Sequence, residues 1–106
     1  MKIIKELTEM IEDELDGAEE YAKNALVMRE EHPTLAKTFY DISLDEVKHI
    51  NMLHDEVRKL IEQHRREKSE PPAPMLAVYE YLHKKHIEEA AEIKSLQAQY
   101  KEQTYS

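Results

Sequence analysis

The stretch SLDEVKHINMLHDEV, residues 43–57, predicts a helix whose apolar stripe is interrupted by a carboxylate and an imidazole. The residues of this stripe are three or four positions apart, and two of them flank the quoted stretch. They are Ile42, Glu46, His49, Leu53, Val57 and Leu60. An unpaired charge on a buried stripe costs several kcal/mol unless something compensates it. We therefore expect Glu46 and His49 to have a partner elsewhere in the chain.

The composition of the 106-residue chain indicates a single all-helical domain, residues 1–106. It has one Gly and no Cys, which excludes disulfides and thiolate metal sites. The net charge of -8 argues against nucleic acid as a partner, because phosphate binding needs a basic face. The sequence contains neither a signal peptide nor an apolar stretch of membrane-spanning length, so we expect a cytoplasmic protein without membrane contact.

Prolines divide the chain into three helical segments. Pro33 lies in EEHPT, and the residue before a proline is disfavoured in the helical conformation. SEPPAP contains three further prolines and predicts a second break. The expected helices span about residues 2–31, 34–67 and 74–103. Short connections make consecutive helices antiparallel, so the sequence predicts an all-α, up-down-up bundle of three long helices.

Three long, thin helices leave much of their apolar flank uncovered. Four helices are the usual way to close a core of this kind. We therefore expect a second copy of the chain to complete the bundle, in a homodimer or a higher homo-oligomer.

The first helix has a similar interruption. Its stripe consists of Ile3, Leu7, Met10, Glu14, Gly17, Ala18, Tyr21, Ala25 and Met28, with Glu14 in place of an apolar residue. Gly17 and Ala18 remove bulk beside that carboxylate. A hairpin that turns near residues 31–33 places Glu14 opposite about residues 48–52, close to the level of Glu46 and His49. These last two are three residues apart and point the same way.

Three metal-type ligands are therefore predicted to converge at one level of the bundle. A Glu on one helix and Glu-x-x-His on the next form half of the ligand set of a di-iron carboxylate bundle. Two cations would offset the charges that make buried carboxylates unfavourable. Mixed oxygen and imidazole ligands suit iron or manganese, and zinc would also bind.

The segments EMIEDELDGAEEYAKNAL (residues 9–26) and LAKTFYDISLDEVKHINML (residues 35–53) resemble the first two helices of the ferritin-like superfamily, in its rubrerythrin branch. Glu14 lies seven residues before Tyr21, as in that family, and the aromatic residue before Glu-x-x-His corresponds to Phe39. The resemblance covers about residues 8–57. It implies a ferroxidase-type reaction, the oxidation of Fe(II) by dioxygen or peroxide. Glu14 would then be a terminal carboxylate, Glu46 a bridging or chelating one and His49 a terminal nitrogen ligand.

The chain departs from the rubrerythrin pattern in two respects. It lacks the cysteine-rich electron-transfer domain, and it has three helices where the family has four. Two chains could complete the site, each giving Glu14, Glu46 and His49. Alternatively, the third helix could supply the remaining ligands, for which the candidates are His83, His86 and Glu89. Helical depth argues against this alternative, because a turn near residue 70 places His83 and His86 roughly 9–13 Å from His49.

Two further residues are predicted to support the site without binding metal. We expect the hydroxyl of Tyr21 to hydrogen-bond a ligand carboxylate and thereby orient it. We expect His54, at the flank of the second helix's stripe, to lie at the level of His83 and His86. A different class of function stays open, namely a non-catalytic interaction module in which the polar groups form a structural cluster.

Overall fold

Three helices make up the fold of this protein, seen in a computed structural model that describes residues 2–68 and 70–105. They are α1 (Lys2–Met28), α2 (Pro33–Glu67) and α3 (Ala73–Tyr105). The prediction of an all-α fold is confirmed, since no strand occurs among the described residues. The molecule measures 56 × 19 × 18 Å. At about 1.5 Å per residue the three helices span about 40–50 Å, so all of them must lie along the long axis and form a bundle.

Proline determines the break between α1 and α2. His32, which precedes Pro33, has φ -135° and ψ 68°, outside the helical region. Pro33 then begins α2, where its missing N–H costs no hydrogen bond. α1 ends at Met28 rather than near residue 31, and the N–H of His32 closes the turn by donating to the Met28 carbonyl at 2.9 Å.

α3 extends to Tyr105, beyond the end expected near residue 103. Two contacts hold this last turn. The Arg29 guanidinium donates a hydrogen bond to the side chain of Gln103, which joins the ends of α1 and α3. The ring of Tyr105 also lies edge-on to that of Tyr100, with centroids 6.3 Å apart. The first of these contacts joins residues distant in sequence and could not be predicted from the polar tail.

The core lies between one face of α1, one face of α2 and the middle of α3. Its buried apolar residues are Ile4, Ile11, Leu15, Ala18, Ala22, Ala25, Ala36, Ile50, Val57, Ile61, Ile93 and Tyr100. Each large apolar side chain buried in this way contributes about 1.5–3 kcal/mol. The alanines let α1 and α2 approach closely, and these two helices form the main pair, while α3 contacts α1 more than α2.

Each predicted stripe coincides only in part with the buried face of its helix, which corrects the sequence analysis. Of the α2 stripe only Val57 is buried. Of the α1 stripe two alanines are buried, whereas Ile3 and Met10 are about half exposed. Both helices are turned by less than a quarter of a turn, so that Leu15 and Ile50 face the core instead. Each helix has two adjacent apolar stripes, and α3 covers only one of them. Periodicity alone does not show which stripe the chain itself will bury.

No helix within the described part of the chain is long and apolar enough to cross a membrane. The cytoplasmic location stays a prediction.

Candidate metal centre

Glu14, Glu46 and His49 meet on one side of the α1–α2 pair. Nδ1 of His49 lies 3.4 Å from Oε2 of Glu14. The carboxyl group of Glu46, when protonated, donates a hydrogen bond to that of Glu14. Glu46 and His49 are adjacent on α2 because they are three residues apart. The structure therefore brings together the three residues that the sequence analysis paired by depth.

Gly17 provides the space for the Glu46 carboxylate. A Cβ atom at this position would lie 3.2 Å from Oε2 of Glu46 and 3.6 Å from its Cδ. The carboxylate thus rests directly against the backbone of α1. This is the only glycine in the chain, and it sits where a helix would ordinarily favour Ala. The close approach accounts for its presence.

The pKa of Glu46 is raised to about 7 in this environment. Partial burial is the main cause, because it disfavours the charged carboxylate. The hydrogen bond that protonated Glu46 donates to the Glu14 carboxylate and the negative charge of Glu14 raise the pKa further, and His49 opposes them. Near neutral pH the pair of carboxyl groups therefore holds a proton that a bound cation would displace.

The site is open to solvent in the single chain. The side chains of His49 and Glu14 are 54% and 30% exposed. We call this surface the site face and define it by Ile3, Met10 and Glu14 of α1 and by Leu35, Ile42, Glu46 and His49 of α2. Ile3, Met10 and Leu35 are exposed by 45%, 51% and 42%, which is unusual for large apolar side chains in a helical core stripe.

Of the two residues expected to support the site, Tyr21 lacks the expected hydrogen bond among the described residues, and His54 lies at the expected level, beside His83 and His86. Tyr21 packs its ring against Phe39, with centroids 5.6 Å apart. Within residues 2–68 and 70–105 no hydrogen bond joins its hydroxyl to Glu14 or Glu46. His54 lies away from the site face, between α2 and α3, where its ring contacts His83 and His86.

The α3 candidates do not approach Glu14, Glu46 or His49. The ring centroids of His83 and His86 lie 4.9 Å and 5.8 Å from that of His54, at the depth expected from the hairpin geometry. Glu89 lies elsewhere on α3, where its carboxylate is 3.8 Å from Nζ of Lys85 in a partly exposed ion pair. The chain therefore carries two separate groups of metal-type side chains.

A buried polar chain behind the site was not anticipated. The hydroxyl of Ser43 donates to the carbonyl of Ala18 at 2.8 Å, and the amide of Gln97 donates to that hydroxyl at 2.9 Å. These two bonds join all three helices at the level of Gly17. The signal in the sequence is weak, because a Ser and a Gln on helices this polar are ordinarily exposed.

No group of three or more His, Asp or Glu side chains in the described part of the chain is arranged to hold a metal ion as it stands. Glu14, Glu46 and His49 nevertheless offer the oxygen and nitrogen donors that iron, manganese and zinc accept. No protein-family model matches the chain, and comparisons with curated proteins and with solved structures give no match. The resemblance to ferritin-like proteins is therefore carried by the residue pattern alone.

Gly17→Ala tests the role of the glycine. The added Cβ forces the flexible Glu46 carboxylate to move by a few tenths of an ångström. Alanine in a helix interior is favoured over glycine by about 1 kcal/mol, so we expect the metal-free protein to keep or gain stability. Metal affinity should fall by about 10-fold, since ligand orientation is lost. Calorimetric titration with Mn(II) and urea denaturation measure the two effects; equal affinity in both proteins would contradict this role.

Proposed function

We propose that this protein is a ferritin-like metal-binding protein whose three helices run antiparallel and whose metal site is completed by a second chain. Contacts along the bundle support the antiparallel arrangement. Residue numbers rise along α1 while those of the contacting residues on α2 fall. Glu14 contacts His49, and Tyr21 contacts Phe39. The same holds for α2 and α3, where Tyr40 contacts Tyr100 and His54 contacts His83.

The meeting of Glu14, Glu46 and His49 over Gly17 carries the proposal. Two atoms that bind one ion through bonds of about 2.1 Å lie about 3.0–3.4 Å apart. The corresponding distance between His49 and Glu14 is 3.4 Å. A purely structural role gives no reason for two carboxyl groups to lie beside each other on a half-exposed surface.

The site face supports a second chain as the partner. Its exposed apolar residues flank the three ligands on both helices, so that a twofold copy would cover them and enclose the ligands together. The combined ligand set would be four Glu and two His, with each chain giving Glu14, Glu46 and His49. We accordingly infer a homodimer or a larger homo-oligomer built on this pair.

Two iron ions held in this way would supply Fe(II) oxidation by dioxygen or peroxide, with manganese or zinc as other possible occupants. The protein's own residues would bind and orient. The Glu46 carboxylate would give up its proton and bridge or chelate, Glu14 would bind at one end, and His49 would bind through nitrogen. Gly17 would keep the carboxylate close to α1.

Metal content and solution mass test this proposal together. Chelator-treated protein is reloaded with Fe(II) without oxygen and freed of excess metal, and its iron is counted by elemental analysis. We expect about one iron per chain in a dimer, and loss of that iron in Glu46→Ala because a bridging ligand is removed. Glu20→Ala, an exposed carboxylate on α1, is the matched control and should keep its iron. Absence of stoichiometric iron in the unmodified protein would overturn the ferritin-like function.

A second candidate function, a helical interaction module, rests on a different observation. An open apolar groove of about 550 Å³ runs between the start of α1 and the start of α3. Ile4, Met75, Val78 and Leu82 line it, with Lys2 and Lys5 at its edge. This reading gains support if the protein binds no metal, and Glu14, Glu46 and His49 would then form a structural polar cluster.

A further inference from the structure

Three histidines form a cluster between α2 and α3, on the opposite side of the bundle core from the site face. His54 lies edge-on to His83 with centroids 4.9 Å apart, and 5.8 Å from His86. His86 is only 2% exposed. Tyr79 stacks on His83 with centroids 5.7 Å apart and closes the cluster toward the end of the bundle.

Each of the three imidazoles has a buried nitrogen without a hydrogen-bond partner. The atoms are Nδ1 of His54, Nδ1 of His83 and Nε2 of His86. A buried polar atom left unpaired costs about 1–3 kcal/mol, and three in one place call for an explanation such as a bound ion.

We propose that His54, His83 and His86 bind a single zinc-type ion, with the carboxylate of Glu12 as the fourth ligand. This site is independent of the one on the site face. Three imidazoles and one carboxylate are a donor set that suits tetrahedral Zn²⁺. Manganese and magnesium prefer oxygen ligands and would bind here poorly.

The geometry around His86 favours an ion over a hydrogen bond. Oε1 of Glu12 lies 3.5 Å from Nε2 of His86, and this contact does not have hydrogen-bond geometry. Two ligands of one tetrahedral ion, each about 2.1 Å from it, are about 3.4 Å apart. The rings must still turn about their side-chain bonds, since no three donor groups in the described residues converge on one point as they stand.

Such an ion would join all three helices where packing is weakest. Glu12 belongs to α1, His54 to α2, and His83 and His86 to α3. α2 and α3 have few other contacts with each other, so a shared ion would fasten α3 to the hairpin. The fold should therefore be stabilised by the metal, with a higher Tm as the readout.

The experiment uses a chain in which the other site is disabled, Glu14→Gln with Glu46→Gln, so that its outcome does not depend on the proposed function. We titrate this protein with Zn(II) by calorimetry and with Co(II) by visible absorption. We expect about one ion per chain, the intense visible band of tetrahedral Co(II), and a Tm rise of about 10 °C at about 100 times Kd.

Variants of the cluster separate specific from adventitious binding. His54→Gln and His83→Gln should each weaken Zn(II) binding by at least about 10-fold, with the helical content of the metal-free protein unchanged. His32→Gln is the control, because His32 is exposed and lies at the other end of the bundle. The proposal is overturned if Zn(II) leaves the Tm unchanged, or if His54→Gln and His83→Gln bind Zn(II) as tightly as His32→Gln does.

Discussion

Replacing Glu14 and Glu46 together by leucine should stabilise the metal-free protein and remove its response to metal. The two carboxyl groups lie side by side and are partly withdrawn from water. Substituting partly buried charged groups by apolar ones of similar volume commonly gains free energy, and we expect about 1–2 kcal/mol in the free energy of unfolding.

The same substitution removes the stabilisation that a bound ion provides. A ligand that binds only the folded state at about 100 times its Kd adds about 2.7 kcal/mol, and this increment should vanish in the double variant. Urea denaturation with and without Mn(II) measures both effects, and Mn(II) is chosen because it prefers a site rich in carboxylates to one with three imidazoles. Asp16→Leu with Asp45→Leu is the matched control, since both aspartates are exposed on the same two helices. A double variant still stabilised by Mn(II) would show that these carboxylates are not ligands.

The helices could be read from the sequence because their determinants are local. Pro33 ends one helix and begins the next through its own ring and the restriction it places on His32. The pairing of Glu14 with His49 also followed from simple geometry, because a short hairpin connection leaves little freedom in depth. Spacing along two helices was sufficient to bring three metal-type side chains together.

Which face of each helix is buried could not be predicted from the sequence. Ile50 and His49 are neighbours in sequence, yet Ile50 is 2% exposed and His49 lies on an open surface. The deciding factor is where α3 packs, and its sequence gives little guidance because polar His86 and Gln97 are among its buried residues. These residues are buried through contacts with Glu12 and Ser43 that are distant in sequence. Tertiary contacts of this kind override local polarity.

Metal affinity at the site face should depend steeply on pH, because Glu46 must lose its proton to bind a cation. With a pKa of about 7, the ionised fraction of Glu46 falls about tenfold for each pH unit below neutrality. The apparent affinity for Mn(II) should therefore fall about 50-fold between pH 7 and pH 5 and level off above pH 8. Glu20→Ala should show the same profile. An affinity that is constant from pH 5 to pH 8 would contradict a Glu46 ligand with a pKa of about 7.

The metal-free protein gives an independent measure of the same group. The folded-state pKa of Glu46 lies above its ordinary value of 4.5, so folding favours the protonated form. The contribution of Glu46 to stability is fully present below about pH 4.5 and is lost as the pH rises through about 7. Glu46→Gln stays neutral throughout, so its free energy of unfolding should increase relative to the unmodified protein across that window.

His54 affects the pH dependence of stability in the opposite direction. Its lowered pKa removes stability as the pH falls from 6.5 toward 4. Comparing the two proteins at each pH cancels this second effect, and a difference that does not change between pH 4.5 and 7 would show that Glu46 has an ordinary pKa.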